Sequence, residues 1–353
     1  MHRPTKQPEL AVIVPVRNEA AGLADLFRSL VNQQEVALEL VICDDSSIDG
    51  TPDLARQLAE SAPFPVTIIE TEPERGRQLN AGASIAAAPF FLFLHADSRF
   101  TDPLAFRRSL NHLAAARSAA AGALLTGRFA LRFRRQDTTP SLAYYYYECK
   151  ARLDRPECCH GDQGLLMGRE TFADVGPFDE TLPLLAETRL ADTIRRRGKL
   201  LLLPAEIETS ARRFETEGLA ARQALNAIIM NFAAQGWEPV FRELPLLYQQ
   251  QDKTKRLQLR PVLARLGELI GDLPRKERRL LWQKTGRYIR DNAWQLTFAL
   301  DVRRNYHRNL PPGAGPTPCL DVYGRHLDRI TDNAAGRWLA ALLARMWLWW
   351  GAL

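Results

Sequence analysis

Four short apolar runs, at residues 11–16, 38–43, 66–70 and 90–94, alternate with stretches whose apolar residues recur every three or four positions. That alternation is the strongest constraint on the chain. Strand, helix, strand at this pace leaves a mostly parallel sheet with right-handed crossovers, flanked by helices. The run Phe90-Phe-Leu-Phe-Leu94 has no polar position, as a strand covered on both faces requires. Pro15 falls at the end of the first strand, a position a sheet tolerates. Between the strands, Leu23, Leu26, Phe27 and Leu30 mark a first helix, Thr51 opens a second, and residues 75–88 read as a third. A further helix is expected to start near Asp102-Pro103. The fold class is therefore α/β, Rossmann-like in its layering.

In such a sheet the loops that follow the strands line one edge, where ligands bind. Here those loops are Arg17-Asn-Glu19, Asp44-Asp-Ser-Ser47, Glu74-Arg-Gly-Arg77 and His95-Ala-Asp97. A carboxylate pair such as Asp44 and Asp45 accepts hydrogen bonds from a base N–H or a ribose hydroxyl. Arg75 and Arg77 flank Gly76 at the start of a helix. Two guanidiniums, a helix N-terminus and a residue without Cβ suit a phosphate. Asp97, just past a buried strand, is placed to hold a divalent metal against a diphosphate. Singly, each is more often turn, cap or solvated-surface chemistry. Four strand exits of one character argue for one site.

The 353 residues suffice for a large α/β domain and a second unit. The net charge of +6 is uneven: residues 251–310 hold fifteen Lys and Arg against six Asp and Glu, and all seven tryptophans lie at or after Trp237. A junction between Gln235 and Lys255 follows, with units of residues 1–240 and 241–353. Residues 1–9 have no apolar core, so no secretory signal is expected. Five cysteines without Cys-x-x-Cys spacing argue against a zinc site or disulfide framework, and for a reducing cytoplasm.

As an ordered set, Val14-Pro-Val-Arg-Asn-Glu19, Cys43-Asp-Asp-Ser-Ser-Ile-Asp-Gly-Thr51, Gly76-Arg-Gln-Leu-Asn-Ala-Gly82 and Leu94-His-Ala-Asp97 resemble the family 2 glycosyltransferases. Gly161-Asp-Gln-Gly164 and Thr209-Ser-Ala-Arg-Arg-Phe-Glu215 extend the likeness, which covers roughly residues 10–235 and is similar to a bacterial subgroup whose metal motif reads Leu-His-Ala-Asp. The resemblance implies the A-type nucleotide-diphosphosugar transferase fold. It also implies an inverting, metal-dependent transfer from a nucleotide-diphosphosugar donor to an acceptor hydroxyl, with no covalent intermediate. Carried onto this sequence, it implies that Pro15, Glu19 and Asp45 border the nucleobase and ribose, with Asp44 supporting that loop. Arg77 and Asn80 would lie near the diphosphate or donor sugar, with Arg75 and Ala96 in the same pocket. Asp97 would bind Mn2+ or Mg2+. His95 replaces the first acid of the commoner motif, either as a ligand, which suits manganese better than magnesium, or as a neighbour of the phosphates.

The acceptor half departs from the pattern. Inverting transfer needs a general base to take the acceptor proton. The family supplies an aspartate from a Glu-Asp pair opening a helix, whereas this chain reads Pro183-Leu-Leu-Ala-Glu-Thr-Arg-Leu190. Ala186 replaces the first acid, and Glu187 stands where the aspartate is expected. Glu187 is the expected base and Asp162 the alternative. A catalytically silent sugar-nucleotide-binding or scaffold protein is the rival reading. A nucleotidyltransferase of the same fold would want a glycine-rich loop with a lysine after the first strand, which Arg17-Asn-Glu-Ala-Ala-Gly22 is not. The tyrosines at 144–147 fall on a helix and read as core packing before sugar stacking.

From residue 257 onward the spacing is helical, forming an α-helical C-terminal extension. Residues 334–353 carry Trp338, Trp347, Trp349 and Trp350, with Arg337 and Arg345 among them. Those arginines, and the preference of tryptophan for an interface, favour a helix lying on the inner membrane surface over one that spans it. The basic stretch would be drawn to anionic lipid. The alternative is a bundle whose tryptophans pack inward or on a second subunit. Nucleic acid is not an expected partner, because no recognition motif accompanies the charge. The expected location is cytoplasmic, peripheral on the inner membrane. Donor base, sugar, acceptor and oligomeric state are not fixed by these residues.

Overall fold

The computed structural model describes residues 7–120, 122–181, 184–249 and 256–352. Residues 1–6, where a signal would begin, Pro183, and Lys255 at the far bound of the expected junction lie outside them. The chain divides into two compact units. One comprises the chain up to Arg134 together with residues 147–210, and the other residues 135–146 and 211–353.

In the first unit β1 (Leu10–Val16), α1 (Ala20–Val31), β2 (Leu38–Asp44), α2 (Thr51–Glu60), β3 (Val66–Glu70), α3 (Arg75–Ile85) and β4 (Phe90–Phe93) follow one another. The four strands are parallel, in the order β3-β2-β1-β4. Period-two burial explains why β1 has no polar face. Leu10, Val12 and Val14 enter one core with Leu23, Leu26 and Phe106, while Ala11 and Ile13 enter the other with Leu79, Phe91 and Ile194. Pairing with β4 ends at Ile13 opposite Phe93, so Pro15 lies beyond the stretch where two neighbours compete for its backbone.

The sheet continues through α4 (Ala105–Ala119), β5 (Leu124–Arg134), α5 (Leu142–Lys150), β6 (Leu165–Gly168), α6 (Arg169–Val175), α7 (Ala186–Arg197) and β7 (Gly198–Ser210). Its full order is β3-β2-β1-β4-β6-β5-β7, with β6 antiparallel to both its neighbours and β5 parallel to β7. Two expected boundaries move. Helix α3 stops at Ile85, not residue 88, because the next residues are captured from outside. The Glu39 carboxylate accepts from the N–H groups of Ala87 and Ala88, and Arg169 donates to the carbonyls of Ala86 and Ala88. Helix α4 begins at Ala105, since Asp102 caps the turn before it by accepting from the Leu104 N–H at 3.0 Å.

The second unit is helical: α8 (Arg212–Glu217), α9 (Leu219–Gln235), α10 (Pro239–Gln249), α11 (Leu259–Gly271), α12 (Arg275–Asp291), α13 (Trp294–His307), α14 (Pro318–Val322), α15 (Asp328–Thr331) and α16 (Ala334–Ala352). The division near residue 210 precedes the junction expected from composition. The reason is α9, whose Asn231 and Gln235 both donate to the Thr285 hydroxyl on α12. Tyr145 and Tyr146 pack inside this unit, the first donating to the Leu310 carbonyl at 2.8 Å and the second stacking obliquely on Phe298. Among the described residues no helix is long and apolar enough to cross a membrane.

Candidate functional site

The site builds up along the carboxyl edge of the first unit's parallel strands. The exits of β1 and β2 are laced together there. Asn18, in the left-handed region at φ 55°, donates its N–H to Ser47 Oγ and accepts from the Ile48 N–H through Oδ1. The Glu19 and Ala20 N–H groups donate to Thr51 Oγ1 and Asp49 Oδ2. Within this lacing Asp44 accepts from the Ser47 N–H through one oxygen, and Asp45 accepts from Arg17 at 3.3 Å through one oxygen. The Oδ1 atom of each is buried with no hydrogen-bond partner. A buried carboxylate oxygen left unmatched is costly, so one on each of two consecutive residues points to donors that a ligand supplies.

The third loop behaves differently from the sequence expectation. A Cβ on Gly76 would come within 2.6 Å of the Asp179 carbonyl oxygen, so its missing side chain makes room for the 179–180 backbone and not for a phosphate. Arg77 pairs with Glu72 and lies 3.6 Å from Glu180. The Asn80 amide donates to the Phe178 carbonyl and to Glu180, and accepts from the Phe178 N–H. Arg77 and Asn80 therefore hold the 178–180 segment. Arg75 turns the other way and donates Nε–H to the Glu187 carboxylate.

Glu187 is the second residue of α7 and only 8% exposed. His95 Nε2 lies 3.3 Å from the oxygen that Arg75 also engages. Burial pushes the Glu187 carboxyl up, but the Arg75 guanidinium, and after it His95, outweigh burial and hold it well below the ordinary carboxylate range. Gly161 is the floor of this arrangement: a Cβ there would lie 2.9 Å from both Glu187 Oε1 and His95 Nε2.

Asp162 comes to the same place because β6 runs against its neighbours. Leu165 at the start of β6 pairs with Phe93 at the end of β4, so the turn Gly161–Gln163 enters the sheet at the edge where His95, Ala96 and Asp97 leave it. Asp162 Oδ1 is buried without a hydrogen-bond partner. Burial pushes its carboxyl above the ordinary range, the charges of His160 and His95 oppose that, and the charge of Asp97 adds to it. Ala96 is buried, and Thr209 Oγ1 on β7 reaches Asp97 Oδ1 at 3.5 Å. The loop is held by paired backbone bonds between Arg99 and Glu208.

Among the described residues no three His, Cys, Asp or Glu side chains form a ready-made metal cage. The donor chemistry nevertheless fits a divalent cation: Asp97 and His95 share one loop, and the charges of both act on the Asp162 carboxyl, whose buried Oδ1 has no hydrogen-bond partner. Sequence reading missed two supports. Gln78, 5% exposed, donates to the carbonyls of Val16 and Cys43 and so ties α3 to the ends of β1 and β2. Gln163 accepts from the buried Arg128 at 2.6 Å and donates to the Cys158 carbonyl, which fixes the turn carrying Asp162. Gly161-Asp-Gln-Gly164 was the available signal for the second.

Residues 11–176 match the sequence model of Glycosyl transferase family 2. Over 90 residues the chain is 33% identical to an uncharacterized glycosyltransferase of Nostoc sp., a stretch covering 25% of this chain and 28% of that protein. Over 89 residues it is 28% identical to the uncharacterized glycosyltransferase YibD of Escherichia coli, covering 25% and 26% respectively. The match thus spans about a quarter of the length of these curated relatives. Among solved structures, the mannosyltransferase PcManGT of Pyrobaculum calidifontis in complex with GDP-Man and Mn2+ is 18% identical, with a TM-score of 0.49 covering 98% of this chain and 88% of that one. S. aureus TarS 1-349 in complex with UDP is 14% identical, with a TM-score of 0.45 covering 90% and 91%.

Proposed function

With residues 11–176 forming a family 2 glycosyl transferase domain, we propose that this chain moves a sugar from a nucleotide-diphosphosugar to an acceptor hydroxyl, with inversion and with Mn2+ or Mg2+ as cofactor. One observation carries the reading. Partnerless buried oxygens on Asp44 and Asp45 share a sheet edge with the carboxylates of Asp97, Asp162 and Glu187. Pro15, Glu19 and Asp45 are assigned to the base and ribose, with Asp44 shaping their loop. Asp97, with His95 and Asp162 beside it, is assigned to the cation, which when bound offsets the charge of the leaving diphosphate. Glu187, its carboxyl held below the ordinary range by Arg75 and His95 against the effect of burial, is assigned to the acceptor proton, and the same two side chains fix its direction.

A second assignment of the base has its own support. Asp162 has an oxygen that nothing engages and a carboxyl pushed upward, towards the range where a base works best. Transfer assays on Glu187→Gln and Asp162→Asn, run beside nucleoside-diphosphate binding, separate the two. The base is the residue whose loss removes transfer and leaves binding intact. Tight nucleotide binding without turnover in the unaltered protein would establish the silent-binding rival instead.

A further inference from the structure

Helix α16 is seated in the second unit by its small side. A Cβ on Gly286 of α12 would meet the Arg337 carbonyl oxygen at 2.2 Å and Ala341 Cβ at 2.8 Å. A Cβ on Gly351 would meet Leu263 of α11 at 2.5 Å. Ala340, Ala341 and Leu348 are buried in that seat. The opposite side carries the large apolar residues: Trp338 is 66% exposed, Leu343 56%, Trp347 47%, Trp349 63% and Trp350 65%. At 100° per residue these positions, with Leu339 and Met346, cover about half the helix circumference. A continuous apolar face of this size is not the scattered exposure that soluble surfaces show.

The charge around this face selects its occupant. Helix α16 has no acidic residue. The α12 helix runs antiparallel to it, since Gly286 lies against Arg337 and Ala341 whereas Trp282 lies under the Arg345 guanidinium. That register brings the start of α12, with Arg275, Lys276 and Arg279 exposed, beside the Trp347–Trp350 end. Arg260 reaches the same end, 3.4 Å from the Ala352 carbonyl. Asp272 and Glu277 are the acidic residues of that stretch and leave it net positive. A second copy docked by this face would bring another α16, which carries no acidic residue to offset the basic rim. Tryptophan, with an apolar ring and an N–H donor, suits the boundary between headgroups and acyl chains.

We infer that the outward face of α16 is a docking surface for an anionic lipid bilayer, entered by Trp338, Trp347, Trp349 and Trp350 and oriented by the basic end of α12. The helix lies in the plane of the membrane. The inference stands on the second unit alone and does not depend on glycosyl transfer.

The test is flotation of the full chain with vesicles of phosphatidylglycerol and phosphatidylcholine, against phosphatidylcholine alone, without any donor. Binding to the anionic vesicles is expected, weakened by salt. It should fall about tenfold or more in Trp347→Ser/Trp350→Ser, with the melting temperature unchanged because both side chains are exposed. Arg275→Gln/Lys276→Gln/Arg279→Gln should remove the preference for anionic lipid while leaving residual binding. Equal binding to both vesicles, no binding to either, or a concentration-dependent dimer abolished by Trp347→Ser/Trp350→Ser would overturn it.

Discussion

Arg75, the first residue of α3, donates its Nε–H to the carboxylate of Glu187, in the first turn of α7 and 112 positions away. The pair joins the loop expected to meet the donor with the helix expected to meet the acceptor. Four expectations follow from this geometry and its surroundings.

Burial raises the Glu187 carboxyl but Arg75 and His95 lower it further, so its folded value lies below its unfolded one of about 4.3. Such a group contributes stability above the unfolded value and loses it as pH falls through the folded value. Glu187→Gln should therefore cost about 1–2 kcal/mol at neutral pH, after discounting for the solvent reaching Arg75, and progressively less below about pH 4. Urea melts at both pH values measure this; a penalty that grows on acidification would contradict it.

Asp97→Asn should abolish the metal-dependent part of nucleotide binding. At about a hundred times its dissociation constant a nucleoside diphosphate with Mn2+ should stabilise the unaltered protein by roughly 2.7 kcal/mol. Thermal shifts with and without the metal compare the two proteins. An undiminished metal-dependent shift in the variant would remove Asp97 from the cation.

In Gly161→Ala, the new methyl would stand 2.9 Å from both Glu187 Oε1 and His95 Nε2. Both side chains must give way, and transfer should fall by about tenfold to a hundredfold as Glu187 and His95 are displaced. The affinity for nucleoside diphosphate without metal, measured by calorimetry, should change little, because Asp44 and Asp45 belong to other loops.

Gly76→Ala should act on stability. Its Cβ would meet the Asp179 carbonyl oxygen at 2.6 Å, and displacing backbone should cost about 1–3 kcal/mol in a denaturant melt. If stability held and only nucleotide affinity fell, Gly76 would face the donor after all.

The first, second and fourth strands were legible as apolar runs covered on both faces, and β3, an edge strand, from Val66, Ile68 and Ile69 between turn residues. The last three were not. In β7 four successive leucines, Leu200–Leu203, and then Pro204 interrupt the alternation that would mark a strand, and β6 has only four residues, too few to show a period. The carboxylates Asp44, Asp45 and Asp97 were legible because a strand's exit is a local feature. The closeness of Asp162 to Asp97 depends on the direction of β6, and the turn of Arg75 towards Glu187 depends on packing across distant sequence. Neither is encoded near the residues concerned. What the sequence did not show is that Gly76 and Asn80 also hold the 178–180 segment, a contact made across about a hundred residues.

The reversed direction of β6 divides the site by provenance. Asp45 and Asp97 arrive on chain leaving the sheet, whereas Asp162 arrives on chain entering it and Glu187 on a helix beyond. The two halves are separate stretches of chain that meet where Arg75 engages Glu187 and where Gly76 lies against the Asp179 backbone. A substitution between residues 154 and 190 is therefore felt in the loop after β3, and the two stretches can change only in concert.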